Sequence, residues 1–160
     1  MASNRNRVAL VGKIGCGKTT LMQRLSDDPI EYLKTQMVTY TDRFIDTPGE
    51  FVELPFFTHQ AINITCDAGL LLVLVSATDW QNTIPPNFVY TYNIPFMGVV
   101  TKIDHPEADI KRARRFLDYI GIRPHLIVEV SAITGEGIEH LQNRIADLLK
   151  KTAPTKRNRR

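Results

Sequence analysis

Cysteine is scarce in this chain: two in 160 residues, Cys16 and Cys66. Two thiols so far apart make neither a metal-ligand spacing nor a disulfide framework. That excludes cystine-stapled scaffolds and zinc modules, and it predicts a reducing compartment. Long apolar runs are missing too. The most apolar stretch, Gly69–Val75, is far shorter than the ~20 residues that cross a bilayer, so it reads as a buried strand and no membrane span is expected. Residues Met1–Arg7 lack the apolar core of a secretory leader, which predicts a cytoplasmic protein.

Excess charge of one sign is also lacking once the last ten residues are set apart. The chain holds 20 Lys and Arg against 17 Asp and Glu. Five of the basic residues (Lys151, Lys156, Arg157, Arg159 and Arg160) sit in the final ten positions with no acid among them. The first 150 residues therefore carry 15 basic against 17 acidic side chains. The chain reads as one domain over 1–150 and a basic, disordered tail over 151–160. Ten residues are too few to make an RNA-binding domain, so nucleic acid is not an expected partner.

What is present is an alternation of short apolar runs and amphipathic stretches, the pattern of βαβ units in a mostly parallel sheet. Strands are predicted at Val8–Val11, Met37–Tyr40, Arg43–Asp46, Gly69–Val75, Pro95–Thr101 and His125–Val130. Helices are predicted from Gly17 to Ser26, over Leu54–Cys66, over Pro106–Ile120 and over Gly135–Leu149. The Pro106–Ile120 helix carries an apolar stripe of Ile110, Ala113, Leu117 and Ile120, with Lys111, Arg112, Arg114 and Arg115 largely off it. Trp80, in a polar loop over Ser76–Asn87, is a candidate partner contact. Phe88, Tyr90, Tyr92 and Phe96 read as packing.

Four segments then carry chemistry. Gly12-Lys13-Ile14-Gly15-Cys16-Gly17-Lys18-Thr19, followed by Thr20, matches G-x-x-x-x-G-K-[ST], in which glycines bend the backbone so that several N–H groups face a phosphate. The helix that follows adds its positive N-terminal end. Lys18 is expected on the β- and γ-phosphates and Thr19 on Mg²⁺. Asp46-Thr47-Pro48-Gly49 ends a strand: Asp46 can hold Mg²⁺ through water, and the Gly49 N–H can bond the γ-phosphate, a bond lost on hydrolysis. Thr35, Thr39 and Thr41 all fall where a second magnesium-side hydroxyl belongs, and Thr35 is the best placed. Thr101-Lys102-Ile103-Asp104 is similar to the [NT]-K-x-D loop of small GTPases. There Asp104 accepts from the guanine N1–H and amino group, which adenine cannot offer, and the Lys102 stem covers the base. Ser131-Ala132 supplies a backbone N–H for guanine O6. The fold expected is a three-layer αβα P-loop NTPase with a mostly parallel six-stranded sheet, its site at the carboxyl ends of the strands.

Together with Lys34-Thr35-Gln36 and Ile45-Asp46-Thr47-Pro48-Gly49-Glu50-Phe51, these segments resemble the EutP/PduV family, small GTPase-like proteins encoded with ethanolamine and propanediol utilisation. The resemblance covers about residues 7–149. It implies work beside bacterial microcompartments, with a shell protein or enzyme as partner, and for some members an ATP-dependent acetate kinase chemistry. GTP or GDP with Mg²⁺ is the expected ligand, and ATP the alternative. Where Ras-like enzymes place a water-orienting Gln, this chain has Glu50, whose charge repels the γ-phosphate. Slow hydrolysis is therefore expected, with Lys18, Gly49, Glu50 and Thr35 as the catalytic candidates. Arg43 is the nearest basic candidate for an internal arginine finger. A ribosome- or RNA-associated GTPase is a third reading, resting on the basic tail.

Overall fold

The computed structural model describes residues 7–26, 39–40, 43–49 and 68–152. Six strands form one sheet in the order β2-β3-β1-β4-β5-β6: β1 Arg7–Gly12, β2 Thr39–Tyr40, β3 Phe44–Asp46, β4 Ala68–Ser76, β5 Phe96–Thr101 and β6 Ile127–Glu129. All neighbours are parallel except β2 and β3, which pair antiparallel. Three α-helices, α1 (Lys18–Leu25), α2 (Ile110–Ile120) and α3 (Ile138–Thr152), and two 3₁₀ turns, Phe88–Thr91 and Pro124–Leu126, complete the described elements.

β4 lies between β1 and β5 and every one of its residues is buried. A strand covered on both faces carries a continuous apolar run instead of an alternating one. Successive side chains still point to opposite sides. Leu71, Val73 and Val75 join Ala9, Val11, Ala113, Leu117 and Ile120 in the core under α2. Leu70, Leu72 and Leu74 join Val8, Leu10, Leu21, Leu141 and Ile145 in the core under α1 and α3. The two cores flank the sheet and make the three layers.

Several boundaries differ from the sequence reading, each for a local reason. α2 begins at Ile110, not at Pro106, because the Asp109 side chain accepts the Arg112 N–H at 3.0 Å and caps the helix. The Asp109 N–H meanwhile reaches the Ala77 carbonyl at 2.8 Å. Gly121, at φ 111°, ends the helix with its own N–H on Asp118 and the Ile122 N–H on Leu117. α3 starts at Ile138 and runs to Thr152, so the first two residues of the basic terminal segment are helical. β6 is short because Pro124–Leu126 is a 3₁₀ turn. The helix expected over Leu54–Cys66 and the rest of the terminal segment lie outside the described residues.

Candidate functional site

β1 runs directly into the glycine-rich loop, and α1 begins at Lys18 with Gly17 as its N-cap. Gly17 sits at φ 93°, a left-handed conformation that a side chain would strain. The Lys18 side chain, only 6 % exposed, turns back along the loop: Nζ donates to the Gly12 carbonyl at 2.9 Å and to the Lys13 carbonyl at 3.2 Å, and lies 3.7 Å from Cys16 Sγ. The Cys16 thiol is fully enclosed; burial pushes its pKa up, against the opposing pull of Lys18. A raised pKa keeps it a packing thiol and disfavours reactivity.

Because β3 and β1 are parallel, with Leu10 opposite Asp46, the carboxyl end of β3 arrives beside the loop. Thr19 Oγ1 donates to Asp46 Oδ2 at 2.6 Å. A hydroxyl and a carboxylate this close form the hard-oxygen pair that suits Mg²⁺. Among the described residues no cluster of three or more His, Cys, Asp or Glu could hold a metal. An ion bound here would complete its shell from phosphate and water, as Mg²⁺ commonly does. The Thr47 hydroxyl donates to the Leu10 carbonyl at 2.8 Å and pins the turn to β1. Arg43 belongs elsewhere: its carbonyl accepts the Val8 N–H at 2.8 Å, at the far end of the strands, and its guanidinium lies over Phe44. The parallel register thus removes it as an arginine-finger candidate.

On the other side of the loop, β5 delivers Thr101 and Lys102. Thr101 Oγ1 donates to the Cys16 carbonyl at 2.6 Å, and Lys102 Nζ donates to the Gly15 carbonyl at 2.6 Å. Lys102 holds φ at 59°, an unfavourable region for a side-chain-bearing residue that persists only where surroundings enforce it. These two bonds tie the third of the four segments to the first across more than eighty residues of chain. A cleft of about 310 Å³ opens between them, lined by Gly17, Thr20, Leu21, Lys102, Asp104, Ala132 and Ile133, among others. Asp104 is exposed, and no hydrogen bond engages its carboxylate among the described residues. The carboxylate becomes buried only when a ligand lies on top of it.

Beyond β6, Ser131 is fully buried. Its Oγ accepts the Thr134 N–H at 3.0 Å, and its own N–H is taken by the Glu136 carbonyl at 2.9 Å. Of the two residues expected to offer a donor, Ala132 is therefore the one whose N–H makes no hydrogen bond among the described residues and which lines the cleft. The turn depends on Gly137 at φ 76°, where a Cβ would stand 2.1 Å from the Glu129 carbonyl oxygen. That requirement for glycine was written in the sequence and not read there.

Asp79 was also missed. It lies just beyond β4, shares a small cavity with Lys13, and accepts the Ser76 N–H at 3.3 Å. Burial raises its pKa, opposed chiefly by Lys13. Its carbonyl accepts Arg112 Nε at 2.7 Å, and the same guanidinium stacks 4.8 Å from the centre of the Trp80 ring, which is 78 % exposed. Glu50, Thr35 and Thr41 lie outside the described residues; Thr39 is the first residue of β2.

The fold and the site geometry define the class: a P-loop protein of the GTPase type. Among solved structures the chain is similar to a probable GTP-binding protein engB, with a TM-score of 0.62 at 18 % identity over 91 % of this chain and 99 % of that one. It is also similar to Era, solved with MgGDPNP and a 16S ribosomal RNA segment, with a TM-score of 0.61 at 27 % identity over 91 % of this chain and 56 % of that one. Within that class, the family model for ethanolamine utilisation and propanediol utilisation (PduV-EutP) matches residues 5–147, and the chain belongs to this family. It is 30 % identical to the probable acetate kinase EutP of Escherichia coli K12, over 90 % of this chain and 91 % of the relative. It is 33 % identical to the propanediol utilization protein PduV of Citrobacter freundii, over 61 % and 65 % respectively. No helix among the described residues is long and apolar enough to cross a membrane.

Proposed function

We propose that this protein is a guanine-nucleotide switch with slow GTP hydrolysis, acting on a protein partner in microcompartment-linked ethanolamine or propanediol metabolism. The observation that carries the reading is the pair of bonds from Thr101 and Lys102 to the phosphate-loop carbonyls. They hold a base-side loop and a phosphate-side loop around one cleft. In this reading the loop N–H groups of Gly12–Thr20 and the Lys18 ammonium hold the phosphates. Thr19 and Asp46, with Thr35 from the segment outside the described residues, hold the magnesium. Asp104 and the Ala132 N–H select guanine, and the Lys102 stem lies along the base. Bound Mg²⁺ supplies charge neutralisation at the terminal phosphates. The Gly49 N–H bonds the third phosphate and is released when that phosphate leaves.

Glu50 stands where an amide side chain would orient water, and a carboxylate there opposes a triphosphate of its own sign. We therefore expect single-turnover hydrolysis at or below about 10⁻⁴ to 10⁻³ per second, the unassisted range of Ras-type proteins. The relative named a probable acetate kinase favours a second reading, phosphoryl transfer from ATP to acetate. One assay separates them: γ-³²P-labelled GTP and ATP are incubated with the protein, with and without acetate. Slow release of phosphate from GTP, indifferent to acetate, supports the switch. Acetyl phosphate formed from ATP in the presence of acetate supports the kinase and overturns the switch.

A further inference from the structure

Ile14 sits in the middle of the phosphate loop and is 41 % exposed, one of few large apolar side chains among the described residues that reach solvent. Gly49, which ends the Asp46–Gly49 turn, is buried against it. A Cβ placed on Gly49 would stand 2.3 Å from the Ile14 nitrogen, 2.5 Å from its Cα and 2.6 Å from its Cγ1. No side chain fits at 49 without moving one of the two segments. The turn rests directly on the loop, backbone against backbone, with the Ile14 side chain at the seam.

Resting on the nucleotide reading above, we infer that Ile14 sets the preference between nucleoside diphosphate and triphosphate. In that reading the third phosphate lies between the phosphate loop and the Gly49 N–H. Those are the two segments that touch at Ile14, so a triphosphate has to part them and a diphosphate does not. Parting them uncovers apolar surface on Ile14 and sets a β-branched side chain, stiff at χ1, beside a strongly hydrated oxyanion to which it offers no donor. Both effects oppose the triphosphate and leave the diphosphate untouched. Ile14→Ala keeps the loop backbone and removes the branched apolar side chain from the seam.

The test is a calorimetric titration of GDP and of the imido analogue GDPNP, in Mg²⁺, into the full chain and into Ile14→Ala. The analogue is expected to gain about three- to tenfold in affinity relative to GDP in the variant. Ile14→Val, which trims a single methylene, is expected to shift the same ratio in the same direction by less. An unchanged ratio, or a gain confined to GDP, overturns the inference while leaving the nucleotide reading in place. Failure of the native chain to bind either nucleotide overturns both. The side chain is exposed and belongs to neither core, so its truncation leaves the packing intact, and thermal melts of the variants check this directly.

Discussion

At the phosphate end of the cleft the functional side chains are already bonded within the protein: Lys18 to two loop carbonyls, Thr19 to Asp46. At the base end Asp104 and the Ala132 N–H face the cleft without intramolecular hydrogen bonds among the described residues. In the proposed reading the difference follows from what each end recognises. A phosphate is multiply charged and is held by many donors, so protein contacts have to be exchanged for ligand contacts as it enters. A base offers few polar atoms, and a donor and an acceptor held ready in advance discriminate among bases at little cost in reorganisation. Affinity should therefore reside mainly at one end and selectivity at the other.

Removing Lys18 should separate the two most sharply. Lys18→Ala is expected to weaken GTP-analogue binding by ~100-fold or more, since a charge-assisted contact to phosphate is lost. Any remaining binding should keep its preference for guanine over adenine. Titration of both bases into the variant checks this. A variant that loses selectivity as well would show that the two ends do not divide the work.

Breaking the tie between the ends should have a smaller effect. Thr101→Val is nearly isosteric and removes the bond to the Cys16 carbonyl. A buried hydrogen bond is worth about 1 kcal/mol, so GDP affinity should fall about three- to tenfold, with the melting temperature lower by about 2–4 °C. Unchanged affinity alongside a lowered melting temperature would make the bond a matter of stability alone.

The sheet, its buried strands and the three-layer arrangement were legible in the sequence because each rests on local chemistry. Glycines and Lys-Thr mark the phosphate loop, and apolar runs mark buried strands. The start of α2 was not legible, since Pro106 is an acceptable first-turn residue and only the Asp109 cap and its bond to Ala77 decide where the helix begins. The exposure of Asp104, the loss of the Ser131 N–H to Glu136 and the remote position of Arg43 follow from register and turn geometry. Single-sequence periodicity does not encode these. Asp79 escaped notice because no motif contains it; its neighbours Lys13 and Arg112 come from distant parts of the chain.

The smallest expected effect concerns that residue. A carboxylate whose folded pKa is raised favours the folded state at low pH, and that favour is lost as pH rises from its unfolded value through the folded one. Charged Asp79 should accordingly be a mild liability at neutral pH. Asp79→Asn keeps an acceptor for the Ser76 N–H and should raise the melting temperature at pH 7 by about 1–3 °C. The gain should vanish as pH drops below about 4, near the ordinary 3.8 of the side chain. A lower melting temperature at pH 7 would mean that attraction to Lys13 and Arg112 outweighs burial.

The central claim is that this cleft is built for guanine. Titration of GDP and ADP into the native chain in Mg²⁺ tests it, with Asp104→Asn alongside. The account predicts that GDP binds at least about tenfold more tightly than ADP, and that Asp104→Asn removes most of the difference by weakening GDP. Equal affinities in the native chain, or a preference for ADP, would contradict it.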